Sequence, residues 1–127
     1  MKTKYFNKKT TTSDGITHDS SKEAQRWCEL KLLQRAGEIS NLQRQVEFEL
    51  IPNQYESQPR FSKTGAPLKD KVTLVERKCS YLADFVYTDK NGATIVEDTK
   101  SVATQTKDFR IKKKLMLYVH GIKIKIV

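Results

Sequence analysis

Hydrophobic positions along the chain change period several times, and each change marks an element. Between Ile39 and Ile51, Leu42, Val46, Phe48 and Leu50 alternate with Gln43, Gln45, Glu47 and Glu49. A period of two predicts a half-buried strand with a solvated polar face. Upstream, Ala24, Trp27, Cys28 and Leu32 recur at helical spacing behind Ser20. Ser20 with Glu23 three residues on forms a capping-box pattern, and Gly37 suits the helix end. Pro52, Pro59 and Pro67, with Gly65, make residues 52–67 a long loop. Residues 71–87 read as one strand and Thr94–Lys100 as the next. Asp89-Lys90-Asn91-Gly92 between them reads as a three-residue hairpin loop with glycine in the left-handed position. After a connection over 101–105, Thr104 or Thr106 caps a helix with Phe109, Leu115, Met116 and Val119 inward and Gly121 at its end. Ile122–Val127 alternates isoleucine with lysine, the pattern of a strand protected against edge pairing. The predicted order is helix, three strands, helix, strand.

Charge changes the picture at the central hairpin. Tyr81–Tyr87 is apolar and aromatic except for Asp84, a residue type that strands disfavour. The loop sets a register in which Thr88 faces Thr94, Val86 faces Val96 and Asp84 faces Asp98, with β-carbons roughly 5 Å apart. Lys100, two residues beyond Asp98, projects from the same side. Two carboxylates directly opposite repel unless one is protonated or a cation lies between them. Oxygen-only donors suit Mg²⁺ or Mn²⁺, and an ammonium beside them can stabilise charge developing on a phosphate. The trio therefore predicts phosphodiester chemistry, with Asp84, Asp98 and Lys100 catalytic.

The chain has 127 residues, 24 Lys and Arg against 15 Asp and Glu, and a net charge of +9. That balance predicts salt-sensitive binding to a polyanion, with nucleic acid foremost. Lys107, Arg110, Lys112, Lys113 and Lys114 cluster on the last helix, directly after the proposed catalytic strand, and Arg60 and Lys63 fall in the proline-rich loop. These seven are the candidate nucleic-acid contacts. Residues 1–19 read as a flexible basic arm and 20–127 as a single domain. No apolar run approaches the ~18 residues of a membrane span, and the polar start lacks a signal peptide's apolar core, so an intracellular setting is expected. Cys28 and Cys79 are expected to be buried thiols, and with His18 and His120 they lack zinc-site spacing.

The Asp on one strand followed by acid-x-Lys on the next, here Asp84 and then Asp98-Thr99-Lys100, resembles the signature of the PD-(D/E)XK nuclease superfamily. The Tyr-x-Ala-Asp-Phe strand, the acid-x-Lys strand and the lysine-rich Thr-x-x-Phe helix look closest to a small phage and prophage family catalogued as a domain of unknown function. Ala83 replaces the proline of the superfamily's name, and Ser101 stands where a glycine often follows the lysine. The resemblance, over residues 20–120, implies a restriction-endonuclease-like αβββαβ core around a mixed sheet flanked by helices. It implies a Mg²⁺- or Mn²⁺-dependent deoxyribonuclease of endonuclease type, acting inside a host cell. It further implies a metal held by Asp84, Asp98, the Thr99 carbonyl and Glu23, unless Glu23 serves as the helix cap. Several superfamily members act as homodimers on branched DNA. The rival expectation is a non-catalytic nucleic-acid binder that retains the fold.

Overall fold

The computed structural model describes residues 8–101 and 104–127. Its elements in chain order are β1 (Thr10–Thr11), β2 (Thr17–His18), α1 (Ser21–Arg35), β3 (Ser40–Ile51), β4 (Gln54–Phe61), β5 (Pro67–Glu76), β6 (Cys79–Thr88), β7 (Thr94–Asp98), α2 (Lys107–His120) and β8 (Lys125–Ile126). A four-stranded sheet runs β3-β6-β7-β8, antiparallel except for the parallel β7–β8 pair. The architecture is α/β with a mixed sheet. Each helix covers its own part of the sheet: Trp27 and Leu30 of α1 pack with Phe85 and Tyr87, and Phe109 and Met116 of α2 pack with Tyr81, Ala83 and Val96.

Both helices end where their capping chemistry puts them. Ser20 Oγ accepts from the Glu23 N–H at 3.1 Å, and past the other end of α1 Gly37 adopts φ +80° while the Gly37 and Glu38 amides donate to Gln34 and Leu33. Thr106, not Thr104, caps α2, with Gly121 left-handed at its end. Of the four α2 residues expected inward, Phe109 and Met116 are buried and Leu115 packs against the core, but Val119 is exposed. The β6–β7 hairpin has the expected register, with Val86 opposite Val96 and Thr88 opposite Thr94. The Asp89 N–H donates to the Ala93 carbonyl, and Gly92 takes φ +81°.

Four expectations are corrected. Residues 52–67 are not a loop, and 71–87 are not one strand: β4 and β5 form a separate two-stranded ribbon, and the chain breaks at Arg77-Lys78 before β6 begins. Pro59 sits at a register shift between Gln58 and Arg60, and Pro67 begins its strand, positions where a missing N–H breaks no ladder bond. The basic start divides: residues 1–7, with Lys2 and Lys4, lie outside the described residues, and residues 10–18 form a small hairpin held to α1 by Asp14. That carboxylate accepts from Trp27 Nε1 at 2.7 Å and pairs with Lys31 Nζ at 2.9 Å. The thiols are not buried; Cys28 is exposed on α1 and Cys79 half-buried, both free. The terminal strand is short, and Lys125 reaches toward Glu97 at 3.9 Å.

The fourth correction bears on the site. Leu42, Phe48 and Leu50 do not share a face, because Leu42 packs with α1 while Phe48 and Leu50 pack with α2. The same reversal occurs in β6: Tyr81, Ala83 and Val86 join the α2 cluster, whereas Phe85 and Tyr87 join the α1 cluster. Period-two alternation fails between Ala83 and Phe85, at Asp84. On β3 the facing position is Gln45, between the Arg44–Phe85 and Val46–Ala83 pairs, and Gln45 is left-handed with φ +54°. A non-glycine residue in that conformation costs about 1 kcal/mol or more and persists only where surrounding contacts impose it.

Candidate active site

Asp84 lies where its strand changes face, and its carboxylate reaches the residue just past the end of β7. Its Oδ2 accepts from the Thr99 N–H at 2.9 Å and the Thr99 hydroxyl at 2.8 Å. Asp98, the last residue of β7, is only 1% exposed. Its Oδ2 accepts from the Tyr81 hydroxyl, and Lys100 Nζ lies 2.9 Å from Oδ1. That ammonium is the partner the described residues provide for the buried Oδ1. Phe109 of α2 lies beneath the ammonium, its ring centroid 5.1 Å from Lys100 Nζ.

Glu23 completes the group from α1. Its carboxylate is buried, 3% exposed, and accepts from Gln45 Nε2 at 3.1 Å. The side chain bonds to the sheet through Gln45 and also reaches back to the Asp19 backbone N–H before the helix, so the expected capping role and the site role meet in one carboxylate. Gln45, expected on a solvated face, thus turns inward through its left-handed backbone, while Glu47 stays exposed and pairs with Lys78. Burial first, and then the neighbouring Asp84 charge, push Glu23 up to about 7. Burial, followed by repulsion from Asp98, also raises Asp84, although Thr99 hydrogen bonds and Lys100 oppose the rise. The three acids thus form a series in which Glu23 feels the charge of Asp84 and Asp84 that of Asp98.

Those raised values set a pH dependence. Glu23 holds a proton in the folded chain up to about 7 but in the unfolded chain only to about 4.5, so the folded state binds more protons between these values. Stability contributed by this group is full below pH ~4.5 and falls as pH rises through ~7. Glu23→Gln is expected to flatten that fall, read as the pH dependence of the urea midpoint; an unchanged slope would place the strain elsewhere.

Glu97, next to Asp98, faces the other way and does a different job. It is fully buried, receives Arg26 Nε and Nη2 at 2.8 and 2.7 Å, and accepts from the Tyr87 hydroxyl. Burial would raise its pKa, but the Arg26 and Tyr87 hydrogen bonds outweigh burial and hold it below the usual carboxylate range. This neutralised network ties α1 to β7.

A cleft of about 340 Å³ opens over Asp98 and Lys100, lined also by Tyr81, Asp108, Phe109 and Lys112. Of the basic residues predicted on α2, Lys112 is in that cleft; Lys107, Arg110 and Lys114 are exposed and Lys113 half-buried. Arg60 and Lys63 are not brought to the site, since the β4–β5 ribbon carries them away from the sheet. Tyr81 and Gln45 are contacts that residue type alone leaves unmarked, although a tyrosine in a buried strand signals a hydroxyl needing a partner. Lys22 adds a bond from Nζ to the Lys100 carbonyl at 3.4 Å.

Among the described residues, no group of three or more His, Cys, Asp or Glu side chains closes to metal-holding distances. The donor set nonetheless suits a hard divalent cation. All the donors are oxygens, and Asp84 is raised by the like charge of Asp98, which the Lys100 ammonium offsets only in part. No helix among the described residues is long and apolar enough to cross a membrane.

No curated protein matches the chain, and no solved structure matches it. The model of a family described as a protein of unknown function (DUF1064) matches residues 2–126, and the chain belongs to that family.

Proposed function

We propose that the protein is a metal-dependent nuclease hydrolysing phosphodiester bonds in DNA, on a core of the restriction-endonuclease-like, PD-(D/E)XK kind. The observation that carries this reading is the neighbouring pair Asp84 and Asp98, with Glu23 near enough to feel the Asp84 charge and Lys100 paired to Asp98 at 2.9 Å. A fold does not keep mutually repelling, largely buried carboxylates for stability, and acids raised by burial and by a neighbouring like charge, as Glu23 and Asp84 are, point to function. The helix, three strands, helix, strand order of the main sheet and its two helices also supports it.

Asp84 and Asp98 would hold Mg²⁺ or Mn²⁺, with Glu23 and Thr99 adjoining. Such an ion, when bound, supplies Lewis acidity toward a phosphate oxygen and lowers the pKa of a water. The chain's own residues do the rest. Tyr81 fixes Asp98 by its hydroxyl, and Thr99 fixes Asp84 by two hydrogen bonds. Lys100 exchanges its Asp98 partner for a phosphate oxygen and offsets the charge developing there. Phe109 keeps the ammonium over the cleft, and Lys112 meets a neighbouring phosphate.

The test is cleavage of plasmid, single-stranded and four-way-junction DNA with Mg²⁺ or Mn²⁺. Lys100→Ala is expected to lower the rate by about 10²–10³-fold, the range for removing one group that stabilises developing charge. DNA binding without metal-dependent cleavage of any substrate would make the protein a non-catalytic binder.

A further inference from the structure

We propose that the β4–β5 ribbon is an arm that enters the major groove of duplex DNA, making B-form duplex the substrate class. This rests on the nuclease reading for its purpose but not for its test. Every residue of both strands is exposed, and the ribbon pairs with no strand of the main sheet. A two-stranded hairpin standing alone is marginal in water, so a covering partner is expected. The turn at residues 62–65 lies about eight residues from the ribbon's base, roughly 25 Å at ~3.3 Å per residue.

Charge identifies the partner. The outer part, residues 58–71, carries Arg60, Lys63, Lys69 and Lys71 against Asp70 alone, while the part nearest the body carries Glu56 and Glu76. Positive charge is thus placed at the far end, where it would meet phosphate first. It is also placed on both faces. Gln58 pairs with Lys71, which shares a face with Lys69, whereas Arg60 pairs with Leu68 across the register shift. A groove has phosphate along both walls, and the major groove, about 12 Å wide, admits a two-stranded ribbon. Gln58 and Arg60 are residue types that read base edges there, and Leu68 offers a methyl contact. An A-form RNA duplex has too narrow a major groove for the same entry. The base of the arm is fixed to the body, the Lys78 N–H donating to Asn53 Oδ1 at 2.6 Å and Lys78 Nζ pairing with Glu47 at 2.8 Å.

The experiment uses the full chain without metal, measuring anisotropy with labelled duplexes of about 10 and about 30 base pairs, one and three turns. Wild type is expected to prefer the longer duplex. Arg60→Ala, Lys63→Ala, Lys69→Ala and Lys71→Ala combined should erase that preference and reduce the salt-dependence slope by about 3–4. The single Lys63→Glu at the exposed turn should weaken binding in the same direction. Asp98→Asn should keep the arm-dependent binding, so loss of cleavage and loss of the arm's role are read separately. An unchanged slope, an equal effect on RNA duplexes, or a shift in sedimentation from dimer to monomer without loss of DNA affinity would overturn the proposal. The last result would make a second copy the occupant of the Tyr55, Val72 and Leu74 face.

Discussion

Asp98→Asn is expected to reduce metal-dependent cleavage by at least ~10³-fold, about 4 kcal/mol of transition-state stabilisation, while leaving the fold intact. The loss is large because the buried carboxylate is both the charge partner of Lys100 and one of the two acids proposed to hold the metal. The fold survives because the amide oxygen still accepts from Tyr81, and the attraction to Lys100 that is lost is set against the repulsion from Asp84 that is relieved. Melting within a few degrees of wild type, together with lost cleavage and lost Mn²⁺ uptake by calorimetry, is the expected pattern. Cleavage within tenfold of wild type would sink the assignment of Asp98.

One residue earlier the expectation reverses. Arg26→Ala is expected to cost about 3–5 kcal/mol of stability, because it leaves Glu97 buried with its main counter-charge gone. For a chain of this size that is a fall of roughly 10–20 °C in Tm. The pH dependence follows from the direction of the shift. Glu97 is held below its ordinary pKa in the folded state, so its stabilisation is present above the unfolded value of about 4.5 and is lost as pH falls. Wild type should therefore converge on Arg26→Ala in acid. The double variant Arg26→Met with Glu97→Leu is expected to recover most of the loss, since a well-packed apolar pair often equals a buried ion pair. At low temperature Arg26→Ala should keep its cleavage activity. If Arg26→Ala melted like wild type, α1 and β7 would be joined by packing alone.

Local chemistry was legible wherever a few adjacent residues decide conformation. Ser20 and Gly37 around the first helix are such cases. So is the Asp89–Gly92 loop, whose register placed Asp84 toward Asp98. The same turn chemistry occurs twice more, at Thr12–Gly15 and Ser62–Gly65, each with the glycine left-handed and the amide of the first residue bonded to the carbonyl four on. At Ser62–Gly65 the flanking Pro59 and Pro67 hide the signal, because their placement at a bulge and a strand start is visible only once register is known. At Thr12–Gly15 the strands are two residues long, too short for a period to show.

The sequence by itself determined the helices' ends, the central hairpin and the acid-x-lysine trio, since backbone conformation there depends on neighbours in the chain. Only the tertiary structure decided how each charge is partnered. Glu97 and Asp98 are adjacent acids, and alternation sends them to opposite faces. Glu97 meets Arg26, 71 residues away, while Asp98 meets Tyr81 and a lysine two residues on. The switch of faces at Asp84 and Gln45 was likewise set by contacts between distant strands and helices, and it brings the Gln45 amide to Glu23 of the first helix. Partners separated by that much chain are chosen by packing, which no local pattern encodes.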